Sequence, residues 1–315
     1  MNLRLRPTAH AVGVLLASAA LLATGPVRAA DRTWDGNGAD ATWSFGAATG
    51  GNTNWTHIVV PGQQPLANGD HLIFAGSTRL ANVNDYANLS VAGMLFKAGA
   101  GAFTLAGNAL ASTDDIVNTS TSRQRLSFAN LVVGADQVWN GGSAGLTIDN
   151  FTLDRHALEL SGTVELRSSA TNTVIGRTQA AELRAGAGST VATGLTFLAD
   201  QAGSSGRVRL DAGARWTAEG LFYVGTRGAG ELMLTRGSLL ASEGGHVGRF
   251  AGSSGTASID ADSRWLASGH TVRVGYGGTG TLAVQGTLHA STLSLGFEGG
   301  RGSFALAGSQ ALLSS

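Results

Sequence analysis

Two carboxylates one residue apart beside a guanidinium form the kind of acid–base grouping that a glycan-cleaving site uses, and Asp260, Asp262 and Arg264 have that spacing. On an extended segment, residues i, i+2 and i+4 share a face, so the three side chains would meet one sugar. The same spacing also makes a tight turn, in which an Asp side chain caps the backbone two residues on. Asp114 and Asp115 are adjacent, which sends them to opposite faces of a strand or leaves both solvated in a turn. The histidines show neither His-x-His nor His-Glu-x-x-His spacing. His246, His270 and His289 fall in successive repeat units at different offsets, so no histidine ladder is expected. The segment Gly-Thr-Arg-Gly-Ala-Gly-Glu at 225–231 looks like a phosphate loop, but a Walker loop closes on a lysine, and Lys97 is the only lysine. No catalytic, cofactor-binding or metal-ligating residue follows from these spacings, and no cofactor is expected.

Composition narrows the field further. Charged residues make up 13% of the chain and the formal net charge is zero, so no long-range field draws nucleic acid, which is not an expected partner. Cysteine is absent, which excludes disulfides and thiolate metal sites. Glycine is abundant at 47 residues, against 4 prolines and 43% hydrophobic residues, a balance that can bury a core while supplying many turns.

The glycines are periodic. Gly206, Gly230, Gly255, Gly280 and Gly302 each open a five-residue segment whose third and fifth residues are apolar. These pairs are Val208 and Leu210, Leu232 and Leu234, Ala257 and Ile259, Leu282 and Val284, and Phe304 and Leu306. The period of two is that of a strand with one buried face. A preceding strand ends at Leu198, Val224, Val247, Val274 and Leu295, with mixed outward neighbours Phe197, Tyr223, His246, Arg273 and Ser294. A third apolar element follows each unit, with Trp216 and Trp265 at equivalent places. Units of 21–27 residues with two or three short strands cannot bury both strand faces alone, but stacking supplies each inward residue with a neighbour above and below. The expected fold is all-β, a parallel right-handed β-helix forming one elongated domain.

Residues 1–29 read as a signal peptide: Arg4 and Arg6, an uncharged apolar run from Ala11 to Ala23, then small residues with cleavage expected after Ala29. That run is too short to span a bilayer, and no other segment approaches the ~20 residues needed. Residues 30–69 are expected to cap the solenoid, with Trp34, Trp43 and Trp55 closing its first coil. Residues 70–165 would form irregular coils and residues 166–315 the regular glycine-turn repeats, ending without a cap or barrel.

The units Tyr-Val-Gly-Thr-Arg-Gly-Ala-Gly-Glu-Leu at 223–232 and Arg-Val-Gly-Tyr-Gly-Gly-Thr-Gly-Thr-Leu at 273–282 resemble the repeat of type V secretion (autotransporter) passengers and PEP-CTERM-associated surface proteins. The opening Thr-Trp-Asp-Gly-Asn-Gly at 33–38 and the stretch Leu-Val-Val-Gly-Ala-Asp at 131–136 resemble autotransporter-associated β-strand repeats. The resemblance implies a chain exported through the inner membrane and displayed at the cell surface, at the outer membrane or outside the cell, as a fragment of an autotransporter or as a solenoid exported by another route. Implied partners are host-cell, matrix or sister-cell surfaces, and the outer-membrane translocation machinery or a C-terminal barrel. The expected role is structural or adhesive and not enzymatic. The alternative is a secreted carbohydrate-active β-helix, a polysaccharide lyase or hydrolase.

Overall fold

The structure, a computed structural model of the chain, describes residues 30–44, 53–57, 65–168, 172–308 and 312–314. The expected leader lies outside them. No helix occurs among the described residues, and short parallel strands stack into a β-solenoid of about 10 turns spaced by about 23 residues. One complete coil consists of the strands Ala229–Leu234, Leu239–Ser242 and Gly244–Val247. In the next coil, the second and third strands fuse into one, Arg264–Val274, whose pairing stops at Ala267 and resumes beyond the corner at Thr271 and Val272.

Three columns of strands result. The first is a 13-stranded sheet running from Trp55–His57 and Asp31–Trp34 to Arg301–Leu306. The second and part of the third merge into a 15-stranded sheet, because Arg264–Val274 belongs to both. In the earlier coils a 4-stranded sheet forms the third side, from Leu89–Val91 to Phe151–Thr152, and the Leu153–Ile175 bridge carries it towards the later coils. Among the described strands only Asp31–Trp34 and Trp55–His57 pair antiparallel.

The register is the alignment that the glycines define. Gly206, Gly230, Gly255, Gly280 and Gly302 pair in succession, as do Leu198, Val224, Val247, Val274 and Leu295. Trp216, Leu240, Trp265 and Leu288 form a further aligned set, on the second column of strands. The apolar positions of these columns point inward and are buried, including Val274 and Leu282 at 0% exposure, except at the last coil, where Leu295 is 48% exposed. Arg301–Leu306 is the last strand of its sheet, so Phe304 is only half-buried and Leu306 is exposed.

Two glycine columns meet across each coil. A Cβ on Gly255 would lie 2.2 Å from Val224 O and 2.4 Å from the Gly248 nitrogen, and Gly248 itself has φ +77°. The recurrent glycine pair therefore marks two backbones in contact, and this explains the loop-like spacing at 225–231 without a phosphate.

Buried indoles are satisfied from neighbouring coils. Trp216 Nε1 donates to Thr193 Oγ1 at 2.8 Å and Trp265 Nε1 to Ser242 Oγ at 3.0 Å, each acceptor lying 23 residues earlier. At the first end, Trp34, Trp43 and Trp55 are buried and pack edge to face at 5.1 and 5.5 Å, extending the apolar core onto Phe74. Arg32 Nε donates to Asp70 at 2.9 Å beside them, and Asp70 also accepts from the backbone N–H groups of Ala30 and Ala67. The buried carboxylate is thus compensated by three donors.

Replacing Val274 or Leu282 with Asp places an unpaired charge in the core and is expected to cost at least about 3 kcal/mol, read as a lowered thermal midpoint. Gly255→Ala is expected to destabilise more than Gly213→Ala, where φ is +80° but no atom lies within 4 Å of the added carbon. Gly213→Ala then carries only the conformational penalty of about 1 kcal/mol. Equal melting shifts for the two would refute backbone contact as the reason for the glycine columns.

Candidate functional site

The Asp260, Asp262 and Arg264 grouping does not converge. Asp260 sits at a corner, accepting the Arg236 N–H at 2.6 Å and the Asp262 N–H at 3.3 Å, so its carboxylate is a turn cap. Asp262 and Arg264 are exposed. The equivalent corner two coils further back carries Asp211, whose pKa is lowered to about 2, chiefly by its hydrogen bond with Arg236. Asp114 caps the Asp115 N–H, and Asp115 caps the Val138 N–H at 2.6 Å, so these are turn residues too. Residues 141–145 have the Gly-x-Ser-x-Gly order of a nucleophile elbow, but Ser143 is exposed in a turn and shows no histidine partner among the described residues.

Two shallow troughs run along the solenoid. One, of about 750 Å³, crosses the first sheet over a floor of small residues that includes Ala180, Ser205, Ala229 and Ser254, with Asp136, His156, Glu182, Arg207 and Glu231 at its sides. Its charges largely neutralise one another: Arg207 pairs with Glu231 at 2.6 Å, Glu182 with Arg184 at 2.8 Å, and His156 lies 3.5 Å from Asp136. His156 has φ +83°, a conformation that stores strain in a residue with a Cβ. The other trough is lined in part by Arg125, Asp149, Arg167, Glu219 and Glu243.

A third feature stands out by its chemistry. The outward positions of the third column, Phe197, Tyr223, His246 and Arg273, pair in register. Phe197 and Tyr223 stack at 4.8 Å with their rings 1° from parallel, and Tyr223 stacks on His246 at 5.2 Å. The chain of rings then steps to the adjacent corner, from His246 to Tyr276 at 5.2 Å and from Tyr276 to Phe297 at 5.1 Å. Five coils thus contribute to one continuous ridge, about 20 Å long at the strand spacing.

Arginines are laid over the ridge. The Arg249 guanidinium carbon lies 4.2 Å from the Tyr276 ring centre and 4.8 Å from that of Phe250, and Arg227 lies 4.8 Å from the same Phe250 ring. Arg273 is 5.8 Å from Tyr276, and its Nη1 is 3.5 Å from His246 Nε2. Guanidinium groups over aromatic faces gain from the ring quadrupole, which helps to hold cations on an otherwise apolar strip. Arg227 also reaches Asp200 at 3.3 Å, whereas Arg249 and Arg273 make no ion pair among the described residues. Glu298 accepts a hydrogen bond from Tyr276 Oη at 2.5 Å. Phe250 and Phe297 remain 38% and 49% exposed.

His246 records the field at this place. It is 4% exposed, and its pKa is pushed down to about 3, first by burial and then by Arg249 and Arg273. A guanidinium only donates, so the nitrogen facing Arg273 is the unprotonated one and Nδ1 carries the proton. Nδ1 is buried without a hydrogen-bond partner, as is Arg249 Nη1. His270 and His289 do not join the ridge: His289 pairs in register with Leu266, in the second column.

No family model, curated protein or solved structure matches the chain. The ridge is therefore interpreted from its own residues. In the sequence its outward positions look merely mixed, because Phe, Tyr, His and Arg share no single property. Aligning the units down to the residue after each corner glycine, where Arg249, Tyr276 and Phe297 stand, would have revealed the cluster.

The depressed His246 pKa has a signed consequence. Between its ordinary value near 6.5 and about 3 the unfolded chain binds the proton and the folded chain does not, so this residue makes stability fall as pH drops through that window. His246→Phe keeps a ring in the stack and removes the titration. The variant is expected to lose less stability than the wild type between pH 6.5 and pH 3 in urea titrations, and parallel losses would refute the buried neutral imidazole.

Proposed function

We propose that the chain is an exported, surface-displayed β-solenoid of the autotransporter-passenger kind, with a structural and adhesive role that needs no catalysis. The observation that carries this reading is the aromatic and arginine ridge: contact chemistry repeated along five coils of a closely packed stack. Aromatic and arginine side chains give large contact area and directional hydrogen bonds for little lost entropy, which is why they dominate recognition surfaces. The leader and the repeat resemblance supply the export half of the proposal. Partners of this kind are host-cell, matrix or sister-cell surfaces.

The trough on the first sheet favours the alternative, a carbohydrate-active enzyme, with Glu182 and Glu231 as its carboxylates in place of Asp260 and Asp262. Polysaccharide cleavage that disappears in Glu182→Gln or Glu231→Gln would establish that reading.

Fusing residues 1–29 to a reporter that folds only outside the cytoplasm is expected to give an active reporter, and an inactive one would remove the export proposal. Purified chain is expected to bind cells or matrix, with at least about tenfold weaker binding for Tyr276→Ser combined with Phe250→Ser. Adhesion unchanged in that variant would move the contact surface elsewhere.

A further inference from the structure

We propose that the corner formed by Arg249, Arg273, Tyr276 and Phe250 binds an acidic polysaccharide, engaging the sulfate or carboxylate groups of a linear glycan. The inference rests on the adhesive reading above and gives its contact surface a ligand class.

Charge complementarity carries it. Arg249 and Arg273 approach one tyrosine ring from successive coils, and neither has a carboxylate within ion-pair distance among the described residues. Asp200 is paired with Arg227, and Glu298, which accepts from the Tyr276 hydroxyl and keeps its charge, is a single carboxylate against two guanidinium groups. Two unneutralised guanidinium groups beside a buried neutral imidazole leave a local positive potential. A guanidinium stacked over a ring keeps its N–H donors in its own plane, the fork geometry that a carboxylate or sulfate accepts.

The apolar half of the match is the exposed Phe250 ring, with Phe297 one coil beyond Tyr276. Aromatic faces receive the C–H faces of pyranose rings, whereas anionic substituents go to the arginines. Coils rise by about 4.8 Å, close to the length of one sugar ring, so successive residues of an extended glycan meet successive coils. The chain's net charge of zero makes the attraction local, which favours a glycan with spaced charges over nucleic acid with its dense phosphates.

Dextran sulfate and unmodified dextran share a backbone and differ in charge, which makes them suitable probes for isothermal titration with the mature chain. Dextran sulfate is expected to bind and dextran to bind far more weakly. Arg249→Gln and Arg273→Gln are each expected to weaken dextran sulfate binding by about tenfold. Arg264→Gln, an exposed arginine in the second column, is expected to leave binding unchanged, and thermal melting confirms that each variant folds. The bound polyanion offsets the arginines, so the His246 titration followed by NMR should move upward. Its other charged or titratable neighbours are Tyr223 and Tyr276, with Glu298 beyond Tyr276. Equal loss in all three arginine variants, or equal binding of dextran, would overturn the assignment. Adhesion to cells without dextran sulfate binding would sink the glycan ligand and leave the adhesive role standing, and absence of both would remove the two together.

Discussion

Parallel stacking at the strand spacing is the constraint on which the rest of this molecule depends. Every residue lies about 4.8 Å from its counterpart in the coil before and the coil after, so a side chain is selected chiefly against its own column. Apolar residues meet apolar residues, which turns a set of short strands into one continuous core from Trp34 to Ala290. Corner glycines meet corner glycines, because the backbones there approach more closely than a Cβ allows. The same rule supplies buried tryptophans with acceptors, since Thr193 and Ser242 stand one coil below the indoles that they satisfy.

Like stacked on like is favourable for apolar groups and unfavourable for charge, and the outer surface resolves this by alternation. Glu182, Arg207 and Glu231 occupy one column in consecutive coils, so each carboxylate has a cation as its neighbour. Such exposed pairs add little stability individually, but they avoid the repulsion that a uniform column would carry. The ridge departs from that rule. There the column is filled with rings, and Arg249 and Arg273 lie against aromatic faces instead of carboxylates. The departure leaves positive charge unspent, and it coincides with the most exposed phenylalanines of the later coils.

The architecture was legible in the sequence because the solenoid writes its register into the chain. Glycines spaced by 22 to 25 residues pair with one another, and the apolar alternation following each one is the inward face. The number of strands in a coil was less legible, since Arg264–Val274 rounds a corner as a single strand although Gly269 stands there, as Gly220 and Gly244 stand near that corner in the coils before. The ridge was harder still. Its members come from two columns, a strand position and a corner position, and no linear pattern announces that His246 and Tyr276 touch. Carboxylate spacing misled in the opposite direction, because Asp260 and Asp262 satisfy a pattern for chemistry while Asp260 serves as a turn cap that accepts the Asp262 N–H.

The self-matching glycine columns also bear on how such a chain changes over generations. Units at Gly230, Gly255 and Gly280 share one backbone register, glycine on glycine. An in-frame duplication or deletion of one unit, by misaligned recombination between similar DNA segments, inserts or removes a whole coil without disturbing the register on either side. Rod length is thereby a heritable variable, and because His246, Arg249, Arg273 and Tyr276 lie between Gly230 and Gly280, a coil gained or lost there also lengthens or shortens the ridge.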